Sequence, residues 1–142
     1  MGTLENKLVV RRFIEEVVNT GDLDRLPEFI APDFRELNAS PESLTGIEHF
    51  REHILSVRST YPDLHLTVGH QIAEGELVAT RLTMTGTHRG GWPTGAKPAN
   101  RLIQISAVNI NRIRNGLIVE HDGAANELAA FLEIGVVRVE SG

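Results

Sequence analysis

Acid–base chemistry on oxygen and nitrogen is the chemistry that the side chains of this sequence could perform. The chain has no cysteine, which excludes a disulfide framework, thiolate zinc sites, iron–sulfur clusters and a thiol nucleophile. A desolvated glutamate could act as a general base, a histidine as acid or base near neutral pH, and an asparagine amide could hold an enolate oxygen. The candidate catalytic residues are Glu36, His121, Asp122 and Asn109.

Strand alternation decides which of these side chains could meet. Glu36 shares a strand face with Phe34, and His121 shares one with Gly123, so both are predicted to point inward. Asp122 points the opposite way unless a β-bulge turns it inward. Each candidate also has a plain structural interpretation: an exposed glutamate near a loop, a core histidine bonded to a carbonyl, a packed amide, and an exposed aspartate at a strand end.

A histidine pair could instead indicate a metal site. His49 and His53 are four residues apart with Glu52 beside them, the helical spacing of a two-histidine site. The run lacks the H-E-x-x-H order and an obvious third ligand. We therefore predict a solvated helix edge and no metal.

Four further residues are predicted to bind a small molecule. Met84 and His88 lie on strand faces that are otherwise apolar, a pattern that core positions share. Trp92 lies in a glycine-rich loop, where it could guard the mouth of a cavity or simply anchor the loop. The predicted substrate-binding residues are Phe34, Met84, His88 and Trp92.

Hydrophobic periodicity predicts the elements that carry these residues. Apolar residues at three- and four-residue steps indicate helices, and a period of two indicates strands. The predicted helices span about 4–19, from 23 up to Pro32, from a capping box at Thr45 up to Tyr61, and 124–134. The predicted strands span about 33–38, 64–72, 77–87, 101–114 and 117–122.

This order of elements predicts an α+β fold in one domain over residues 1–142, with three N-terminal helices on one face of a mainly antiparallel sheet. Both faces of strand 101–114 mix apolar and polar side chains, whereas a sheet that faces plain solvent would be polar on one side. We expect one face to line a pocket under the helices and the other to meet a second subunit.

Composition excludes several classes of partner. The formal charge is −5 and no basic run occurs, so we predict no nucleic-acid partner. Aromatic residues make up only 5%, too few for a base-stacking platform. No stretch approaches the ~20 apolar residues of a membrane span, and the polar N-terminus lacks a signal pattern, so a cytoplasmic protein is expected.

Several short segments in this order resemble the SnoaL-like polyketide cyclase family, which has the nuclear-transport-factor-two-like fold. The resemblance runs from about Leu8 to Gly135. It is carried by Asn19-Thr20-Gly21-Asp22, Ala31-Pro32-Asp33-Phe34, Thr45-Gly46, Gly86-Thr87-His88, Pro93-Thr94-Gly95, Arg112-Ile113-Arg114-Asn115-Gly116-Leu117-Ile118-Val119-Glu120-His121 and Leu132-Glu133-Ile134-Gly135.

The resemblance implies a cone-shaped α+β barrel with an apolar cavity between a curved sheet and the helices, usually in a homodimer. It implies ring closure of a polyketide ester by an aldol reaction without a metal or organic cofactor. An apolar cone would hold a hydrophobic substrate near its attack geometry while a desolvated acid–base group moves the proton. Relatives with this fold include isomerases, hydroxylases, dehydratases and ligand binders.

The chain departs from the family pattern at the acid–base position. Aligned through the Asn115-Gly116 turn, the family's catalytic aspartate falls on Gly123, and a family histidine and glutamine fall on Asn109 and Ala107. The expectation is a cofactor-independent cyclase, isomerase or dehydratase that acts on a hydrophobic oxygenated molecule. The alternatives are a non-catalytic ligand-binding or accessory dimeric domain and a hydroxylase-type relative.

Overall fold

The computed structural model describes residues 2–38 and 46–140, and its first element is a helical segment. Helix α1 spans Thr3–Phe13 and continues as a π-helical turn, Ile14–Val18, so the helical segment ends close to Asn19 as predicted. Gly21 follows with a φ of 74°, a left-handed conformation that glycine adopts at no steric cost.

The second predicted helix, from residue 23 up to Pro32, is wrong in its type and in its length. Residues Leu23–Glu28 form a 3₁₀ helix that contains Pro27, and strand β1, Ile30–Glu36, begins before Pro32 instead of after it. Proline lacks the N–H that an α-helix needs. Pro32 is tolerated in β1 because this strand lies at an edge of the sheet, where one row of amides has no strand to pair with.

The remaining elements follow the predicted order. They are α2 Gly46–Thr60, β2 His65–Glu74, β3 Leu77–Thr87, β4 Leu102–Arg114, β5 Leu117–Ala125 and α3 Glu127–Ile134. Strand β5 is three residues longer than predicted. The Thr45 end of the predicted capping box lies outside the described residues.

The five strands form one curved sheet in the order β1-β5-β4-β3-β2. All neighbours are antiparallel except β1 and β5, which are parallel. One extra residue in β2, between Val68 and Gln71, and one in β5 interrupt the pairing, and such bulges bend a sheet. The α+β fold is therefore as expected.

The inner face of the sheet packs against the helices. Along β4 the inner positions Ile103, Ile105, Asn111 and Ile113 are buried, whereas Gln104, Val108 and Ile110 on the other face are exposed. Rings from α1, β1 and α2 meet in the core; the Phe34 and Phe50 centroids lie 4.4 Å apart, and those of Phe13 and Phe50 lie 5.4 Å apart. No helix in the described part is long and apolar enough to cross a membrane.

Candidate active site

Glu36 and His121 form a hydrogen-bonded pair on the inner face of the sheet. Glu36 ends β1 and pairs with His121 of β5, and because paired residues point to the same face, the two side chains meet. Their Oε2 and Nδ1 atoms are 2.5 Å apart. The side chains are 12% and 23% exposed, respectively, so the pair is mostly shielded from water but can be reached from solvent.

A β-bulge sets the orientation of His121. Arg112 pairs with Glu120 but Ile113 pairs with Ile118, so Val119 is an extra residue in β5. Strict alternation from the buried Ile118 would turn His121 outward. The extra residue reverses the alternation, so that His121 points inward beside Asn111.

Aromatic rings form one wall beside this pair. The ring of Phe50 in α2 meets the His121 ring edge-on with centroids 6.3 Å apart, and Phe34 packs on Phe50. The Nδ2 of Asn38 donates to the carbonyl of Gly123 at 3.0 Å, which ties the end of β1 to β5. An apolar wall beside a shielded carboxylate–imidazole pair is a setting in which proton transfer can take place with little competition from water.

Asn109 also lies on the inner face, one pair further along β4 and β5. It pairs with Gly123, and a Cβ built on Gly123 would lie 2.5 Å from the Asn109 Oδ1. The amide of Asn109 therefore occupies the space that any side chain at position 123 would need. Asn109 and Gly123 are thus in direct contact.

Asp122 lies on the other side of the sheet. It pairs with Ile110, an exposed position of β4, and the pairing is regular from Glu120 to Ala125. The bulge of β5 falls at Val119, before Asp122, and a single bulge can bring only one of two successive residues inward. Asp122 therefore keeps the orientation that strict alternation predicts, and the structure does not bring this candidate together with Glu36 and His121.

Comparison with known proteins identifies the family of the chain. The sequence model of the SnoaL-like polyketide cyclases matches residues 8–134. The chain belongs to this family. The comparison with curated proteins finds no match.

Solved structures share the fold of this SnoaL-like protein over nearly its whole length. TsrD from Streptomyces laurentii is 26% identical, with a TM-score of 0.86 over 96% of this chain and 99% of that one. IdmH from Streptomyces antibioticus, a candidate polyketide cyclase, is 28% identical, with a TM-score of 0.78 over 92% and 98%. AclR from Streptomyces galilaeus, a candidate hydroxylase, is 23% identical, with a TM-score of 0.79 over 97% and 89%, which shows the fold alone.

The predicted substrate-binding residues are dispersed in this SnoaL-like chain. Phe34 is fully buried in the aromatic core, where it packs against Phe50. Met84 is half-buried on the inner face, but it pairs with Ile105, six positions along β4 from Asn111, or about 20 Å along the strand. Trp92 is 48% exposed in the loop between β3 and β4.

His88 anchors that loop from the core. Its Nδ1 accepts from the amide of Ala99 at 3.1 Å, and its Nε2 lies 2.8 Å from the carbonyl of Trp92, so Nε2 carries the proton and donates. The ring is fully buried, and its centroid lies 5.9 Å from that of Tyr61. With both nitrogens engaged by backbone, the geometry favours the structural interpretation of His88 over substrate binding.

His49 and His53 lie near the aromatic wall. Their rings are stacked, with centroids 6.3 Å apart and planes inclined by 3°. His53 is exposed, yet the surrounding protein removes enough of its hydration to lower its pKa, and His49 and His121 add to the effect while Glu36 opposes it. Within the described ranges, 2–38 and 46–140, no group of three or more histidine or acidic side chains could hold a metal ion.

Two concavities lie elsewhere on the described surface. One, of about 290 Å³, opens on the outer face of the sheet around Arg81, Val108 and Ala124. The other, of about 370 Å³, lies between α1 and β2 around Arg11, Asn19 and Leu66. Neither includes Glu36 or His121.

Sequence reasoning placed Glu36 and His121 on the inner face but did not reveal what surrounds them. Phe50 packs in the core, as the apolar period of α2 favours, but its ring edge also contacts His121. The sequence signal that could have revealed this contact is the position of His49 and Phe50 near the start of α2, after the end of β1 that carries Glu36.

Proposed function

We propose that this SnoaL-like protein catalyses cofactor-independent proton transfer on a hydrophobic oxygenated small molecule, such as a polyketide, in a cyclisation, isomerisation or dehydration. The observation that carries the proposal is the shielded Glu36–His121 pair. A carboxylate on Nδ1 fixes the imidazole tautomer, so that Nε2 keeps its lone pair and can take a proton. Glu36 then stabilises the imidazolium that forms.

Asn109 is the group best placed to hold the oxygen of the substrate. Abstraction of a proton next to a carbonyl leaves negative charge on the carbonyl oxygen, and the Nδ2 of an amide can donate to it. The amide of Asn109 lies over Gly123, two residues from His121 along β5 and on the same face. The resulting enolate can attack a second carbonyl, accept the proton at another carbon, or expel hydroxide.

The test is proton exchange, because it reports the first step whichever reaction follows. A panel of cyclic aromatic ketones and β-keto esters is incubated with the protein in D₂O, and deuterium incorporation next to the carbonyl is followed by NMR. We expect exchange above the buffer rate for at least one compound. Ligands that raise the melting temperature but never exchange would favour the ligand-binding alternative, which the glycine at position 123 also suits.

We further propose that the protein is a homodimer formed through the outer face of the sheet. Large apolar side chains are exposed there along β4, at Leu102, Val108 and Ile110, beside the concavity that contains Arg81. Isolated β-sheet faces of this kind are usually covered. Light scattering should give twice 15.6 kDa for the wild type and 15.6 kDa for Val108→Asp; a wild-type monomer would contradict the proposal.

A further inference from the structure

A second amide lies on the inner face of the sheet, directly opposite His121. Asn111 of β4 is the pairing partner of His121 in β5, and Asn109, two residues away on the same face, is the partner of Gly123. The carbonyl of His121 accepts from the backbone amide of Leu37 at 2.9 Å, so its backbone groups point toward β1 and away from β4. Asn111 and His121 therefore form a non-hydrogen-bonded pair, the type in which opposite side chains lie closest together.

The side-chain amide of Asn111 is buried without a partner. The residue is 5% exposed, and no side-chain hydrogen bond joins its amide to any residue within 2–38 and 46–140. The hydroxyl of the buried Thr80, by contrast, accepts from the side chain of Gln71 at 3.2 Å. A buried amide without a hydrogen bond costs free energy, which favours a function for this side chain beyond packing.

The amide of Asn111 borders an opening on the inner face. In the described part of the chain, the one fully enclosed side-chain oxygen or nitrogen without a hydrogen bond is the hydroxyl of Tyr61, so the amide atoms of Asn111 keep some contact with open space. The neighbouring inner positions Asn109, His121 and Gly123 are only half-buried, so a small molecule can reach them from solvent. Asn111 therefore lies at the inner edge of this opening, beside the imidazole.

We propose that Asn111 is a substrate-binding residue that donates, together with Asn109, to the substrate oxygen on which negative charge develops. This inference rests on the proposed function. The C–H bond next to the carbonyl breaks, its proton forms a bond with Nε2 of His121, and the electron pair moves through the new C=C bond onto the oxygen. Two amide N–H groups in a shielded site stabilise that charge more than one does.

Two small probes test whether the site recognises an oxygen. 4-Fluorophenol and 4-fluorotoluene have nearly the same shape, but only the phenol has an oxygen that can accept from the amides while its proton interacts with His121. The affinity of the full chain for each probe is measured by ¹⁹F NMR titration. The wild type should prefer the phenol. Asn111→Val should weaken phenol binding about tenfold, the lower end for a hydrogen bond to a charged group, and leave 4-fluorotoluene binding unchanged.

Thermal unfolding of the free protein shows whether the amide has a structural role instead. Because Asn111→Val removes no hydrogen bond within the described residues, it should unfold at the wild-type temperature or above it. The matched control is Gln104→Val, which removes an amide from the exposed outer face of the same strand and should leave both probe affinities unchanged.

Three results would overturn the inference: no binding of 4-fluorophenol to the wild type, equal losses for both probes in Asn111→Val, or a lower unfolding temperature of that variant. If the preference for the phenol depends on Asn111 but no ketone of the panel exchanges in D₂O, the oxygen site stands and the proposed function fails. If ketones exchange but the preference survives Asn111→Val, the inference about Asn111 fails alone.

Discussion

Replacing Glu36 by glutamine should lower the rate of deuterium exchange into an active ketone by about 10²- to 10⁴-fold, the range for loss of positioned acid–base catalysis. Glutamine keeps the shape of the side chain but removes its charge. The imidazolium of His121 would then lose the anion that stabilises it. The amide could also donate to Nδ1, which would place the proton on Nε2 and block abstraction.

The measurement is the D₂O exchange assay with wild type, Glu36→Gln and Glu74→Gln. Glu74 is an exposed glutamate at the end of β2, far from β1 in the order of the sheet, so its variant should exchange at the wild-type rate. Circular dichroism checks that each variant is folded. Exchange in Glu36→Gln at half the wild-type rate or more would show that the pair is structural.

A double variant separates a joint role from two independent roles. If Glu36 acts through His121, the exchange rate of Glu36→Gln/His121→Gln should equal that of His121→Gln, because the carboxylate has no function once the imidazole is gone. If the loss of exchange rate in the double variant instead equals the product of the losses in the two single variants, each side chain contacts the substrate by itself.

The helices and strands were predictable because their periods are strong and uninterrupted. The apolar stripe of α2 and the alternation along β3 and β4 gave their bounds to within a few residues. The prediction of the second helix was wrong because its apolar spacing fits both an α-helix and a 3₁₀ helix. Pro27, which lacks an amide proton, favours the tighter form.

The candidate site depends on details that alternation alone does not contain. The prediction that His121 points inward assumed regular pairing, but it is the bulge at Val119 that brings both Ile118 and His121 to the inner face. A bulge depends on the pairing of two strands, so one strand's sequence cannot locate it. Asp122 stays on the outer face, as strict alternation predicts, because the pairing beyond the bulge at Val119 is regular.

Hydrogen bonds to the backbone of the following loop explain why His88 is a core residue. An apolar strand face around a histidine is typical both of a binding site and of a core. Two hydrogen bonds distinguish the core interpretation from the binding one. The amide of Ala99, eleven residues away, donates to one ring nitrogen of His88, and the other ring nitrogen donates to the carbonyl of Trp92. Neither contact follows from the local sequence, since both depend on the path of the loop.

Gly123→Ala should destabilise the fold by about 1–3 kcal/mol, the usual cost of overpacking. The cost has one main source, because the new Cβ would lie 2.5 Å from the Asn109 Oδ1 and 3.3 Å from the carbonyl oxygen of Val108. The first distance is far below van der Waals contact, so the amide must move. Thermal or urea unfolding measures the difference.

A double-mutant cycle with Asn109→Ala identifies the contact. Asn109→Ala removes the amide, so Gly123→Ala in that background should cost little, and the two changes should be strongly non-additive. An equal cost in both backgrounds would mean that the backbone of β4 excludes the methyl group. Non-additivity would show that a side chain at position 123 needs a smaller residue at position 109.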